Sequence, residues 1–411
     1  MSHETDDADA TQAIDAYLTS SHELWPDAQQ PRLHHTRGTS DHADESALDL
    51  LVLPRSSHPR LLVPAGNRPA AARAMFRFSA ALSVREIVQR LGVAALLRTA
   101  GGQAFPDRIR VRESPASLRS HLGDILGQPV DVSLGLGTAR VNRKPVLQVF
   151  DRRGRSIAFA KLGESSSTRA LVRGEAASLR HLESAGLPPG LEVPRLLHDG
   201  EWRGHSLLVM SALPNSVRQR PSHQFQVPHD SMRALHQAFA GETCSVTDTP
   251  FWERLLQQVD ALGSAPGADR LRDAVARLET TARQQTTTPG AWHGDWTPWN
   301  MSRRRGRVQL WDWERFETGV PEGLDACHYG VNAICRRDGF SVASVLAGLR
   351  LAVEDAPRGL GIAPSLYLAA IGSRYLAGTL DARGRAIAPA SRVVLDVLEA
   401  HVAEQHTQGE P

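Results

Sequence analysis

The sequence predicts an α+β fold: a β-rich lobe, then a mainly helical one, with a small α/β module in front. Three observations carry this. Residues 130–163 hold three short apolar runs, VDVSLGLG, KPVLQVFD and SIAFAKLG, the last two joined by the turn-forming RRGR. After residue 230 apolar residues recur at helical spacing, as at Leu271, Val275 and Leu278 of ADRLRDAVARLETTARQQ. Ahead of both, LDLLVLP and RLLVP are short apolar runs closed by proline, followed by the helix-like AAARAMFRFSAAL and VREIVQRLGVAALLRTAG.

Taken in order, residues 1–47 are polar and acidic and read as a flexible segment with little core to bury. Residues 48–127 form the α/β module, in which no chemistry is legible. Residues 128–214 form the small lobe: three strands, a helix over TRALVRGEAASLRHLESAG that stops at Gly186, and a strand in HSLLVMSALP. Residues 215–411 form the helical lobe, with helices predicted in VASVLAGLRLAVED, SLYLAAIGSRYLAGTLD and SRVVLDVLEAHVAEQ.

Composition excludes several classes. The chain has 411 residues, 41% hydrophobic and 22% charged, with a formal net charge of +2. That balance argues against a dedicated nucleic-acid or membrane-surface protein, which concentrates basic charge. No apolar run reaches the length of a membrane span, and the acidic N-terminus lacks the order of a signal peptide. Cys244, Cys327 and Cys335 are odd in number and lack metal-ligand spacing, so a cytoplasmic location is expected. Oligomeric state leaves no trace in the sequence.

The chemistry gathers in AWHGDWTPWNMSRRRGRVQLWDWERFE, residues 291–317. Gly294 and Pro298 make HGDWTPWN a loop, and RVQLWDW reads as a strand that brings Asp312 to a strand end. Singly, Asp295, Asn300 and Asp312 are ordinary turn or cap residues. Together they match the needs of phosphoryl transfer: a carboxylate (Asp295) to take the proton of an attacking hydroxyl, and an amide oxygen (Asn300) with a carboxylate (Asp312) to ligate Mg²⁺, which prefers oxygen. A cation must also grip the phosphates. Lys161 is one of only two lysines among 47 Lys and Arg, the other being Lys144. At the end of a strand-like run, its compact ammonium on a thin stem suits that task better than a planar guanidinium. Glu175, on the next helix, is the natural carboxylate to hold it. His293 reads as structural rather than as an acid or base, and Asp325 as a loop anchor.

HGDWTPWN followed by WDWE resembles the aminoglycoside phosphotransferase/choline kinase family, and GVPEGLDACHY resembles a downstream segment of it. The likeness spans about residues 128–400. It implies a protein-kinase-like two-lobed fold and an ATP-dependent (or GTP-dependent) kinase that, with Mg²⁺, phosphorylates a small-molecule hydroxyl. By the same resemblance Gly135, Gly137 and Arg140 belong to the phosphate loop, with Arg140 in place of a third glycine, and Met210, Ser211 and Leu213 to the hinge that meets the base. The acceptor could be a sugar, an amino alcohol or an aminoglycoside-like compound. Glu314, Glu317, Glu322 and Asp325 are the carboxylates available to a cationic one. The competing expectation is a nucleotide-binding pseudokinase or regulatory scaffold. A protein substrate is disfavoured because WERFETGVPEG leaves little room for an activation loop.

Overall fold

The computed structural model describes residues 32–35, 47–55, 59–77, 84–112, 115–135, 144–214, 225–354, 356, 359–380 and 386–409. In chain order the elements begin with β1 (Arg32–His35), β2 (Ala47–Leu53), β3 (Leu61–Pro64), α1 (Arg68–Ala74), α2 (Val84–Thr99), β4 (Asp107–Arg112) and α3 (Leu118–Leu126). There follow β5 (Asp131–Gly135), β6 (Val146–Phe150), β7 (Ser156–Gly163), α4 (Ser166–Ala185), β8 (Leu191–Glu192), β9 (Leu196–Trp202) and β10 (His205–Ser211). Next come α5 (His229–Gln237), β11 (Cys244–Ser245), α6 (Pro250–Ala261), α7 (Ala268–Gln284), β12 (Thr286–Thr287), β13 (Gly290–Trp292), β14 (Met301–Arg304), β15 (Arg307–Leu310) and β16 (Glu317–Val320). The chain closes with α8 (Leu324–Asp338), α9 (Val342–Glu354), α10 (Ala363–Thr379) and α11 (Ala388–Gly409). Two compact units result, Met1–Arg173 with Arg195–Val217, and Gly174–Pro194 with Arg218–Pro411.

The first unit is built on a nine-stranded sheet in the order β1-β4-β2-β3-β5-β6-β7-β10-β9, antiparallel at every ladder. Successive strand residues point to opposite faces, so each face has its own core. Leu50, Val52 and Leu62 pack in one cluster with Leu118 and Leu122 of α3, Val132, Leu147, Ala160 and Val209. Leu51, Leu53 and Val63 pack on the other face with the alanines of α1, Leu97 of α2 and Phe150.

Strands from residues 47–112 therefore extend the same sheet as β5–β7. The junction is β3 against β5, with Leu61 opposite Gly135 and Leu62 opposite Leu134. Asn67 reinforces it: its Oδ1 accepts from Ala70 N (3.0 Å) as the cap of α1, while its Nδ2 donates to Asp131 Oδ2 (2.7 Å). Arg32–His35 is a strand on β4 rather than part of a flexible segment, the rest of residues 1–46 lying outside the described residues. β9 was not expected either. Its LLHDGEW alternates partly buried with exposed positions, as an edge strand does.

The second unit is mainly helical. Leu271, Val275 and Leu278 of α7, read from their spacing, are all buried. Gly330 of α8 and Gly348 of α9 let those helices approach closely, since a Cβ on either would meet the other helix's backbone. The small strands hold the central loop. β13 pairs with β16, and β14 forms a hairpin with β15 across Arg305 and Gly306 (φ 50° and 77°).

Candidate active site

The segment between β13 and β14 is irregular, as Gly294 and Pro298 require, and it is pinned from below. The Asp325 carboxylate, in the first turn of α8, accepts from His293 N (2.7 Å) and Gly294 N (3.1 Å). Burial pushes that carboxyl up to about 7, against the pull of these two bonds. The His293 ring is fully buried. Its Nδ1 accepts from Asp295 N (3.1 Å) and its Nε2 donates to Trp311 O (3.1 Å). Burial lowers it to about 4, so it stays a neutral brace. Gly294 sits at φ 74°, and a side chain there would collide with Arg315 O. Arg374 of α10, which no motif singles out, donates to Gly294 O (2.8 Å).

On this platform Asp295 stands with 34% of its side chain exposed. Asn300 Nδ2 donates to Asp295 Oδ2 (2.8 Å) and to Asp295 O (3.0 Å). The amide therefore turns its nitrogen to Asp295 and leaves Oδ1 for another partner. Trp311 N donates to Asn300 O (3.0 Å), which brings Asn300 next to Asp312. Asp312 lies two residues beyond β15 at φ 72°, a left-handed conformation uncommon outside glycine and found where surroundings enforce it. One enforcing contact is Trp313 N, which donates to Glu175 Oε1 (3.3 Å).

Glu175 is wholly buried, and carboxylate oxygens of Glu175, Asp312 and Glu314 lie within 4.8 Å of one another. Three such groups converging on one point repel unless a cation or proton intervenes, and an all-oxygen donor set with the Asn300 amide nearby fits Mg²⁺. A further residue, absent from the sequence reading, touches Asp295 on its other oxygen: His328 Nε2 lies 3.0 Å from Oδ1. Trp296 is fully buried with its indole NH on Met301 Sδ, a packing residue. Trp299 is half-buried beneath the Arg336 guanidinium, 4.9 Å from the ring centre.

The remaining predicted positions fall in the first unit. Lys161 is 8% exposed on β7, opposite Val146 of β6 and Leu208 of β10. Gly135 ends β5. Met210 and Ser211 end β10, Ser211 Oγ accepting from Arg195 N (2.8 Å), and Leu213 follows half-buried. Gly137 and Arg140 lie outside the described residues.

Residues 148–322, which include Lys161, Asp295, Asn300 and Asp312, match the phosphotransferase enzyme family. Over that span, less than half of its length, the chain is similar to this family. The chain also resembles solved structures. A thermostable mutant of aminoglycoside phosphotransferase APH(4)-Ia is 13% identical (TM-score 0.49, covering 69% of this chain and 99% of that one). Amicoumacin kinase hAmiN, solved with AMP-PNP, Ca²⁺ and Ami, is 15% identical (0.42, 64% and 88%). APH(2")-IIa, solved with gentamicin, is 15% identical (0.41, 67% and 94%). No curated protein matches significantly by sequence. The fold of the chain is α+β, β-rich in its first unit and mainly helical in its second. No helix among its described residues is long and apolar enough to cross a membrane.

Proposed function

We propose that the chain transfers the γ-phosphoryl group of ATP, or of GTP, to a hydroxyl of a small molecule. The observation that carries this is the Asp295 carboxylate, held by Asn300 on one oxygen and still open to solvent, above a loop braced by Asp325. The acceptor hydroxyl oxygen bonds to the γ-phosphorus as the bond to the β-phosphate oxygen breaks. Its proton passes to Asp295, and ADP leaves. Asp312 and Asn300 Oδ1, with oxygens of Glu314 and Glu175 close by, are the residues that would hold Mg²⁺, whose charge neutralises the phosphates. Lys161 is assigned to the phosphates, Gly135, Gly137 and Arg140 to the phosphate loop, and Met210, Ser211 and Leu213 to the base. Catalysis of this kind is positioning plus electrostatics.

The acidic residues support a sugar or other uncharged polyol as acceptor. Glu317 pairs with Arg254 (3.6 Å), Glu322 with Arg233 (3.1 Å), and Asp325 is spent on backbone NH groups. Of the four carboxylates available to a polycation, three are thus engaged and Glu314 belongs to the oxygen cluster.

The test is acceptor-dependent ADP release with Mg²⁺-ATP over sugars, amino alcohols and aminocyclitols, beside Asp295→Ala. Release by wild type that disappears in the variant, with ATP-induced thermal stabilisation retained in both, is expected. Equal release by the variant would sink the assignment. Stabilisation by ATP without transfer to any acceptor would favour a pseudokinase.

A further inference from the structure

His328 lies on α8, 33 residues after Asp295, with its side chain 6% exposed. An ionised carboxylate only accepts hydrogen bonds, so the 3.0 Å contact to Asp295 Oδ1 makes Nε2 the donor. Nδ1 is buried and has no hydrogen-bond partner among the described residues. A second proton there would be a buried donor with nothing to bond, so the ring that fits is the neutral Nε2–H tautomer. The ring is itself fixed. Tyr367 packs edge-on at 5.8 Å, and the Asn332 amide ties back to His328 O (2.8 Å) one turn along. Asp295 is thus gripped at both oxygens by neutral donors from separate elements, Asn300 of its own loop at Oδ2 and His328 of α8 at Oδ1.

We propose that His328 is a positioning residue for phosphoryl transfer: it fixes the Asp295 carboxylate in the orientation that meets the acceptor hydroxyl. This rests on the assignment of Asp295 as the hydroxyl's partner. Each carboxylate oxygen has two lone-pair sites, so the grip leaves one on each for the incoming hydroxyl. A neutral donor also suits the task better than a cationic one, because a fixed positive charge would make the carboxylate a poorer proton acceptor. Without His328, one oxygen loses its tether and the carboxylate is free to rotate about its last bond, which costs rate in the chemical step and leaves nucleotide binding alone.

The experiment compares His328→Ala, His328→Gln and wild type for kcat, for KM of nucleotide and acceptor, and for ATP-induced thermal shift. The Ala variant is expected to lose roughly 10- to 100-fold in kcat, with KM for ATP within twofold and the thermal shift retained. Gln, whose amide NH₂ can reach the same oxygen, is expected to recover several-fold of that loss. Unchanged kcat in the Ala variant overturns the proposal. So does an equal loss in both variants accompanied by loss of the thermal shift, which marks a purely structural residue. A readout independent of turnover is the ring ¹⁵N signal of His328, assigned by its disappearance in His328→Gln. It should report the Nε2–H tautomer and move in Asp295→Asn. If wild type transfers phosphate to no acceptor tried, the function proposed above fails while this signal still decides the contact; a signal indifferent to Asp295→Asn overturns it.

Discussion

His293 illustrates how a residue beside the chemistry can govern stability instead. Its ordinary value of 6.5 falls to about 4 in the fold because burial disfavours the charged ring. Between these values the unfolded chain holds a proton that the folded chain does not, so stability is lost as pH falls through this window. At pH 5 the loss amounts to about 2 kcal/mol. Asp325 acts in the opposite sense. Its folded carboxyl, raised from 3.8 to about 7, keeps a proton that the unfolded chain gives up, so its contribution declines as pH rises over that range. Replacing the histidine separates the two. Because the two contributions oppose each other, the test is relative to wild type: His293→Gln, which keeps a donor for Trp311 O, should have a higher Tm at pH 5 relative to pH 7 than wild type does. An identical change between the two pH values would mean that His293 is not the group being titrated. At this scale the sequence discloses what lies within one short loop. Asp295, Asn300 and Asp312 are legible because the chain turns back on itself at Gly294 and Pro298. His328 is not, since its role depends on which face α8 turns to the loop. Nor is the bond from Trp313 N to Glu175, 138 positions apart, which no spacing rule reports.

Elements are legible when their burial is periodic. α7, α9, α10 and α11 follow from apolar spacing alone, and β5, β6 and β7 from short apolar runs. β9 escapes because its exposed residues Asp199 and Glu201 break the run while backbone pairing with β10 still makes it a strand. Strand partners are also hidden, because alternation tells which face is buried and never which neighbour is bonded. Asn67 shows what such a hidden junction is worth. It caps α1 and ties to β5, so Asn67→Ala should cost about 1–2 kcal/mol in chemical denaturation of the full chain. Asp caps a helix as well as Asn does, but at this position it faces Asp131 and gives up the 2.7 Å bond. Asn67→Asp should therefore do no better than Ala. Full recovery with Asp would confine the residue's role to capping.

For the whole molecule the telling feature is the nine-stranded sheet. Residues 48–127 read as a separate module because a strand–helix–helix pattern precedes the small lobe and no sequence signal links them. In the structure β3 lies against β5, and Leu50, Val52 and Leu62 share a core with Val132, Leu147 and Ala160. Removing residues 1–127 would leave β5 an unpaired apolar edge, the kind of edge that seeks another chain. The truncated protein should collect in inclusion bodies or elute as aggregate on size exclusion. A soluble monomer that ATP still stabilises would show that the first strands are dispensable. The same continuity sets a rule for anyone recombining this chain with its relatives. A graft that replaces residues 128–214 alone must also match the β3 ladder and the core that Leu50, Val52, Leu62, Leu118 and Leu122 share with it, so any exchangeable block that holds β5–β7 must carry β1–β4 along.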